Sequence, residues 1–369
     1  MSISANKGEH SEVLAFLRLL HEGRIQVADK DGNPRSAWMK VLALRRPSDP
    51  DLNFKVADQS IRIIGSKGDL VGVVDRAVIR GVADSLFYEI KSATGASFVC
   101  PSADRAAELL YFSGSKASSS AKADLFLEVA SPVFEGETLN LGFSVKSELG
   151  GLPTLLNAGA TQFQYKVEDC SVEQALQVQE SAAAVEGKEY PGPKRLFTAL
   201  KNANARVVFV GVVSPIFEKN LKMIDTAFPR ILAETLKHAY LSGDLGLGNA
   251  VCSPRLLDEL VAALDLPRPM VERLVRHKVK ELLRQSALGM NPGREWEGQV
   301  EAHGGWIIVK EDGAVVCFHL VNDDEFRDYL LTHTKFDTPS MHRHAAGYVY
   351  EQQGEVDAKL KLSLQVRFK

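Results

Sequence analysis

The chain contains little cysteine and no long apolar run. These two features argue against a disulfide-rich or zinc-binding protein and against a membrane-spanning one. Only four cysteines occur among 369 residues, with neither Cys-x-x-Cys nor paired Cys/His spacing: Cys100, Cys170, Cys252 and Cys317. This spacing argues against a zinc site and predicts free thiols in a reducing compartment. Because no eighteen consecutive residues are apolar, no transmembrane helix is predicted. The polar N-terminus with its acidic flank is not typical of a secretion signal, so we expect a cytoplasmic protein.

Sequence motifs of common metabolic enzymes are also absent. The chain carries no Gly-x-Gly-x-x-Gly, Walker, Gly-x-Ser-x-Gly or His-Glu-x-x-His motif, so an unrelated metabolic enzyme has no residues to support it. The formal net charge of −3 allows nucleic-acid binding only if the basic residues are concentrated on one face. With 45% hydrophobic and 25% charged residues, the composition is that of a globular protein. The length suggests two domains, or one domain with a sizeable insertion.

The order of apolar patterns along the chain predicts a mixed α/β protein. Helices are predicted over 9–22, 75–93, 102–113, near 171–183, over 214–242 and in pieces over 253–288. Strands are predicted between the first two helices, at two places within 121–150, at TQFQYKV and through 295–369. The segment RVVFVGVV at 206–213 is apolar throughout, which is typical of a central strand covered on both faces.

One pair of predicted strands carries residues suited to phosphodiester chemistry. Asp124 opens the first strand, and Ser144 and Lys146 lie two apart on the second, so these two side chains point to the same face. If the strands pair, a carboxylate that can hold Mg²⁺ meets an ammonium group that can polarise the attacking water. The spacing resembles the PD-(D/E)XK nuclease core, with Ser144 where an acid usually stands. An ordinary hairpin with a polar outer face would show the same pattern.

The serine leaves open which residue supplies a second metal ligand. A hydroxyl binds Mg²⁺ less well than a carboxylate does. Ser144 is therefore expected to contact the ion through a water molecule, or to hydrogen-bond a residue that binds it. Glu148 lies two residues past Lys146 on the same face and is the first candidate for the missing acid. The other candidates are Glu128, Glu108, Gln162 and Gln164, and the sequence does not choose among them.

Longer blocks of sequence resemble the HpaII-type type II restriction endonucleases. The blocks are GFSVKSELGGLPTLLNAGAT at 142–161 and TKFDTPSMHRHAAGYVYEQQGEVDAKLKLSLQVRF at 334–368, with IFEKNLKMID, GGWIIVKEDGAVVCFHL and FRDYLLTHTKF between them in the same order. The resemblance implies a bacterial enzyme that uses Mg²⁺ to cut double-stranded DNA at a short, CCGG-like site beside a partner methyltransferase. It implies Asp124, Ser144 and Lys146 as catalytic residues, with Asp124 as metal ligand; Glu148 is put forward as a second ligand only from its place on the same strand face.

The resemblance also implies an architecture. We expect a restriction-endonuclease-like central mixed sheet flanked by helices, with β-rich additions at both ends. The expected division is an N-terminal α+β region over 1–100, a nuclease core over 101–250, and a helical and β-rich DNA-recognition region over 251–369. A palindromic site would favour a homodimer, whereas a monomer could nick each strand in turn. The alternative function is a DNA-binding protein without catalysis.

Polar residues near the two resembling blocks are predicted to contact DNA. Arginine can bind both acceptors of guanine in the major groove, and an amide can read adenine or bind phosphate. The predicted DNA contacts are Asn157, Thr338, Ser340, Arg343, His344, Gln365 and Arg367. A packed structural loop is the alternative role for the cluster at 338–344.

Overall fold

The computed structural model describes residues 4–113, 123–130, 136–151, 153–300, 302–319 and 323–369. These residues form a mixed α/β structure, which confirms the predicted class. The helices are α1 (Lys7–Glu22), α2 (Arg76–Ser92), α3 (Pro101–Leu110), α4 (Val172–Glu186), α5 (Pro193–Asn202), α6 (Pro215–Ile224), α7 (Phe228–Ser242), α8 (Leu247–Ala250), α9 (Pro254–Leu264), α10 (Arg268–Leu288), α11 (Asp323–His333) and α12 (Met341–His344). Within the described ranges, none of these helices has the length and apolarity needed to cross a membrane.

The strands are similarly distributed along the chain. They are β1 (Ser4–Ala5), β2 (Arg24–Ala28), β3 (Pro34–Arg45), β4 (Leu52–Val56), β5 (Ser60–Gly65), β6 (Leu70–Asp75), β7 (Phe98–Val99), β8 (Leu125–Ala130), β9 (Thr138–Ser147), β10 (Thr154–Leu156), β11 (Gln162–Glu168), β12 (Arg206–Val212), β13 (Gly305–Val309), β14 (Val315–His319), β15 (Thr334–Phe336), β16 (Val349–Tyr350), β17 (Ala358–Ser363) and β18 (Val366–Phe368). The chain divides into unit 1, Met1–Pro153 with Val300–Tyr329, and unit 2, Thr154–Gln299 with Leu330–Lys369. The three-part division expected from the sequence stays a prediction.

Unit 1 is built on a nine-stranded sheet in the order β2-β14-β13-β9-β8-β3-β4-β5-β6. Because β2 also pairs with β3, six of these strands close into a barrel-like ring, and β4, β5 and β6 extend beyond it. The inward side chains of β8 and β9, such as Leu125, Leu127 and Phe143, are buried in one apolar core with α1, α2 and α3. The outward side chains of the same strands are therefore available for a site.

Helix α1 is fixed at both ends by local interactions. Asn6 accepts a hydrogen bond from the Glu9 amide, and the Glu9 side chain accepts one from the Asn6 amide, which is a capping box. Gly23 ends the helix at φ 61°, a left-handed conformation that favours glycine. Between these caps the apolar face of α1 is buried against the sheet, which fixes the position of the helix relative to the strands.

The strands that carry the candidate catalytic residues are neighbours, as predicted. β8 and β9 pair antiparallel, with Leu125 opposite Phe143 and Phe126 opposite Gly142. β13 runs parallel to β9 on its other side, with Trp306 opposite Ser144 and Ile308 opposite Lys146. Strand β9 is thus held on both edges.

Gly305, at the start of β13, is the glycine whose replacement should be most damaging. Its φ is +109°, and a Cβ atom there would lie 1.9 Å from the Phe318 carbonyl oxygen. We expect Gly305→Ala to lower the free energy of unfolding by at least about 3 kcal/mol, because backbone must move. Gly81→Ala, in the open middle of α2, should instead raise it by about 0.5–1 kcal/mol. Urea unfolding of both variants measures this, and equal values would contradict it.

Unit 2 corrects two predictions made from the sequence. β12 lies at the edge of a four-stranded sheet ordered β12-β11-β17-β16, and Val210 is 50% exposed, so the prediction of a central, doubly covered strand is wrong. An apolar run shows β propensity but does not fix a strand's place in the sheet. The predicted helix over 214–242 is two helices, α6 and α7. Asp225 accepts a hydrogen bond from the Ala227 amide at the break, and Pro229 opens α7 without an amide donor.

The strands at the end of the chain take part in two sheets. β17 pairs with β11 and β16, whereas β18 joins β10 and β15 in a separate three-stranded sheet. The segment KLKLSLQVRF is therefore shared between two sheets of unit 2.

Candidate active site

Asp124 is held at the start of β8 with its carboxylate directed at β9. Its amide donates to the Phe143 carbonyl at 2.8 Å. Its Oδ2 atom accepts hydrogen bonds from the Val145 amide at 2.7 Å and from the Ser144 hydroxyl at 3.1 Å. One amide and one hydroxyl of β9 thus fix one carboxylate oxygen, which gives the acid a defined orientation.

Ser144 and Lys146 continue this arrangement along β9. Lys146 Nζ donates to Ser144 Oγ at 2.9 Å, so a hydrogen-bonded line runs from the lysine through the serine to Asp124. Ser144 is only 3% exposed. The Lys146 ammonium also lies 5.4 Å from the centre of the Trp306 ring, a cation–π contact that limits where it can move. The predicted proximity of these three side chains is confirmed, whereas their catalytic role stays a prediction.

Glu12 of α1 is a buried acid whose charge interacts with those of Asp124 and Lys146, and the sequence analysis missed it. Burial raises the pKa of Glu12 to about 8, and the nearby Asp124 carboxylate adds to this, while Lys146 and Arg46 act in the opposite direction. Glu12 and Lys146 both line a cavity of about 750 Å³ in unit 1. Glu12 is therefore a candidate second carboxylate for the site, supplied by a helix and not by the strand pair.

The only sequence signal for Glu12 is its setting. It lies next to Val13 and Leu14 on a helix whose residues from His10 to Leu17 are otherwise buried. A single acid on a mostly buried helix indicates a polar site within the core. Glu12 and Asp124 lie more than a hundred residues apart, so no sequence pattern shows that they are close in the fold.

The acids and amides considered from the sequence lie elsewhere. Glu148 Oε1 accepts from Lys310 Nζ at 2.6 Å, which engages it in an ion pair. Glu128 stands opposite Asn140 on the outward side of β8, and Glu108 is exposed on α3. Gln162 and Gln164 lie on β11 of unit 2, where they donate to the His344 carbonyl and to Tyr350. A metal-binding role for Glu148 stays a prediction.

The predicted DNA contacts around α12 all lie in unit 2. Ser340 caps this short helix by accepting from the Arg343 amide at 3.4 Å, and the Arg343 side chain is exposed. Thr338 is exposed beside Tyr240, and the His344 carbonyl accepts from Gln162. The local geometry leaves the arginine available to a ligand.

The remaining predicted contacts flank the three-stranded sheet. Arg367 donates to Thr154 Oγ1 at 3.4 Å and lies 3.4 Å from Asp337 Oδ2. The Gln365 carbonyl accepts from the Asp337 amide, and Asn157 is exposed just after β10. DNA contact by all seven residues remains a prediction.

A second group of ligand-type side chains, Glu234, His238 and Glu259, lies between α7 and α9. Lys237 already pairs with both carboxylates, at 2.8 Å from Glu259 Oε1, and His238 Nε2 lies 2.7 Å from Glu259 Oε2. Burial raises the pKa of Glu234. Burial acts in the same direction on Glu259, but hydrogen bonds from His238 and Lys237 hold its pKa well below the ordinary value. The Lys237 ammonium group occupies the space between the carboxylates that a metal ion would need. We therefore assign these residues to an ion-pair network that stabilises the fold.

Lys237→Met should destabilise unit 2 strongly. The methionine leaves two carboxylates close together without their buried positive charge, which is expected to lower the free energy of unfolding by about 3–5 kcal/mol. Lys222→Met, which breaks the exposed pair with Glu218, should change it by less than about 1 kcal/mol. Urea unfolding at neutral pH compares them. A similar, small effect of both substitutions would contradict the assignment.

Comparisons with known proteins agree with the sequence resemblance. The chain matches the HpaII restriction endonuclease family over residues 6–368. It is 34% identical over 374 residues to the type II restriction enzyme HpaII of Haemophilus parainfluenzae, covering 99% of this chain and 98% of that enzyme. No solved structure matches the chain.

These matches define the class of protein: a type II restriction endonuclease, which cleaves DNA at a specific sequence. The chain belongs to the HpaII restriction endonuclease family, so the resemblance seen at 142–161 and 334–368 is confirmed.

Proposed function

We propose that the enzyme hydrolyses phosphodiester bonds of double-stranded DNA with Mg²⁺, leaving 5′-phosphate and 3′-hydroxyl ends, at a short CCGG-like site. The observation that carries this is the hydrogen-bonded line Lys146–Ser144–Asp124, together with the buried Glu12 carboxyl, whose charge interacts with Asp124 and Lys146. An acid pair next to an ammonium group suits a reaction in which negative charge develops on a phosphate.

The donor set fits a divalent cation. Asp124 and Glu12 offer hard carboxylate oxygens, which Mg²⁺ prefers. Burial raises the pKa of Glu12, and the charge of Asp124 adds to this effect, so a cation at this place would favour the ionised acid. We propose that these two residues hold the ion, which supplies Lewis-acid stabilisation of the phosphate and a water of lowered pKa. Glu12 then takes the part left open by Ser144.

The other residues position the reacting groups. Lys146 orients the attacking water and stabilises the charge that grows on the phosphate oxygens. Ser144 accepts from Lys146 and donates to Asp124, so it sets the direction of the ammonium group. In the hydrolysis, the water oxygen forms a bond to phosphorus and the bond to the 3′-oxygen breaks, which leaves the phosphate on the 5′ end.

We further propose that β8, β9 and β13 with α1 form the restriction-endonuclease-like part of unit 1. The support is the antiparallel pair that carries Asp124 and Lys146 and the parallel strand beside it. In unit 2, Arg343 and its neighbours on α12 would read base edges in the major groove. We also propose that the enzyme acts as a homodimer, that it is paired with a DNA methyltransferase, and that it is located in the cytoplasm.

Digestion of a plasmid of known sequence tests the proposed function. With Mg²⁺ we expect discrete fragments, and mapping their ends gives the site, the stagger and the position of the phosphate. A protein that binds one sequence specifically but cuts no DNA with Mg²⁺ or Mn²⁺ would favour a non-catalytic DNA-binding protein.

A further inference from the structure

Five basic side chains occupy the open, outward side of the unit 1 sheet. They are Arg24, Lys40, Arg45, Lys55 and Arg62, here called the basic row, and all five are exposed. Their strands carry the opposite, apolar side chains, such as Phe54, Ile61 and Ile63, into the core beneath α2 and α3. The helices therefore cover one side of the extension and leave the basic side to solvent.

Two pairs within the basic row place like charges directly opposite each other. Arg24 faces Lys40 across β2 and β3, and Lys55 faces Arg62 across β4 and β5. Like charges at opposed positions destabilise a sheet. In the described part of the chain, none of these four side chains forms an ion pair with a carboxylate. An anionic ligand would offset this repulsion.

The basic row is continuous with the catalytic strand. On the outward side, Lys55 is aligned with Ala43, then Glu128, then Asn140. Arg45 is aligned with Phe126 and then with Gly142. Ser144 and Lys146 follow Gly142 by two and four residues on β9, so they share that side.

The dimensions of the sheet suit a nucleic-acid backbone. Strands lie about 4.8 Å apart, so the four strand steps from β9 to β5 span roughly 19 Å. Along duplex DNA each strand places a phosphate about every 3.4 Å of the helix axis, so several phosphates fit this length.

We propose that the basic row binds the sugar–phosphate backbone of duplex DNA beside the scissile phosphate, independently of base sequence. This inference rests on the proposed function, because it takes DNA as the ligand and the Asp124–Lys146 site as the cutting position. The row would supply salt-dependent affinity, and the residues of unit 2 would supply the reading of bases.

The test measures DNA binding as salt is varied, with Ca²⁺ replacing Mg²⁺ so that binding is separated from cleavage. Wild type is compared with Lys55→Gln/Arg62→Gln on two short duplexes, one containing the mapped site and one lacking it. Each lost phosphate contact lowers the slope of log affinity against log salt by about 0.9. We expect the slope to fall by about 2 and binding to weaken roughly 10–100-fold on both duplexes.

The matched control is Arg80→Gln/Arg105→Gln, which removes two exposed positive charges from α2 and α3 on the helical side. It should leave slope and affinity at the wild-type values. The thermal midpoint of Lys55→Gln/Arg62→Gln should equal or exceed that of wild type, because a repulsive pair is removed. If this variant is less stable, Lys40→Gln/Arg45→Gln serves in its place with the same expected change.

A wild-type slope in the variant would overturn the inference, whether the affinity is unchanged or is weaker for the site-containing duplex alone. Failure of the proposed function looks different: wild type would neither cut the plasmid nor prefer its site, whether or not the slope depends on the basic row.

Discussion

Replacing Asp124 with asparagine is expected to reduce DNA cleavage by on the order of 10³-fold or more. The change removes the negative charge of one of two proposed metal-binding carboxylates and keeps an oxygen that can accept from the Ser144 hydroxyl. Several kcal/mol of transition-state stabilisation would be lost, and each 1.36 kcal/mol is a factor of ten in rate. Single-turnover digestion of a plasmid at saturating enzyme measures the loss.

Folding and DNA binding should survive the Asp124→Asn substitution. The asparagine oxygen can still accept from the Val145 amide, which holds the side chain in place. Affinity for the duplex in Ca²⁺ is therefore expected to stay within about tenfold of wild type. Glu108→Gln, an exposed acid on α3, is the control and should cut at the wild-type rate. Cleavage by Asp124→Asn at more than a tenth of the wild-type rate would refute the role of Asp124.

Replacing Glu12 with glutamine should be almost as damaging, with a loss on the order of 10²–10³-fold in cleavage. The substitution keeps the size and hydrogen-bonding capacity of the side chain and removes only its charge. Glu22→Gln, at the exposed end of the same helix, is the matched control and should retain wild-type activity. If both variants cut equally well, Glu12 has no part in the reaction.

The pH dependence of the free energy of unfolding, measured without a metal ion, tests the raised pKa of Glu12. A carboxyl whose pKa is raised from 4.5 to about 8 on folding makes the folded state bind more protons than the unfolded state over that interval. The free energy of unfolding of wild type should therefore fall as pH rises from about 4.5 to about 8. Glu12→Gln should lose less over the same interval. Added Ca²⁺ or Mg²⁺ should raise the thermal midpoint of wild type more than that of the variant, since ligand binding stabilises the folded state.

The catalytic strand pair was predictable because its information is local. Alternating apolar residues in LFLEVA and TLNLGFSV predict two half-buried strands, and period-two geometry puts Ser144 and Lys146 on one face. The structure adds the hydrogen bonds that bind Asp124 to this face. A short separation along the chain made this part of the site accessible to sequence reasoning.

The other half of the site depends on packing over long sequence distances. The Glu12 charge interacts with Asp124 because α1 packs in the core beside β9, and no periodicity along the chain encodes which strand meets which helix residue. The edge position of β12 was misjudged for the same reason. Its apolar side chains are compatible with either a covered or a partly exposed strand, and the pairing partner decides.

The sequence by itself determined the mixed α/β class, the strands carrying Asp124, Ser144 and Lys146, and membership of the restriction endonuclease family. These follow from side-chain periodicity and from blocks of residues in a fixed order, which are properties of the linear chain. The tertiary structure decided the closed ring of strands, the burial of Glu12 where its charge interacts with Asp124, and the alignment of the basic row with β9. Each of these depends on strand register and helix packing between segments far apart in sequence, where burial of apolar surface, rather than local pattern, selects the partner.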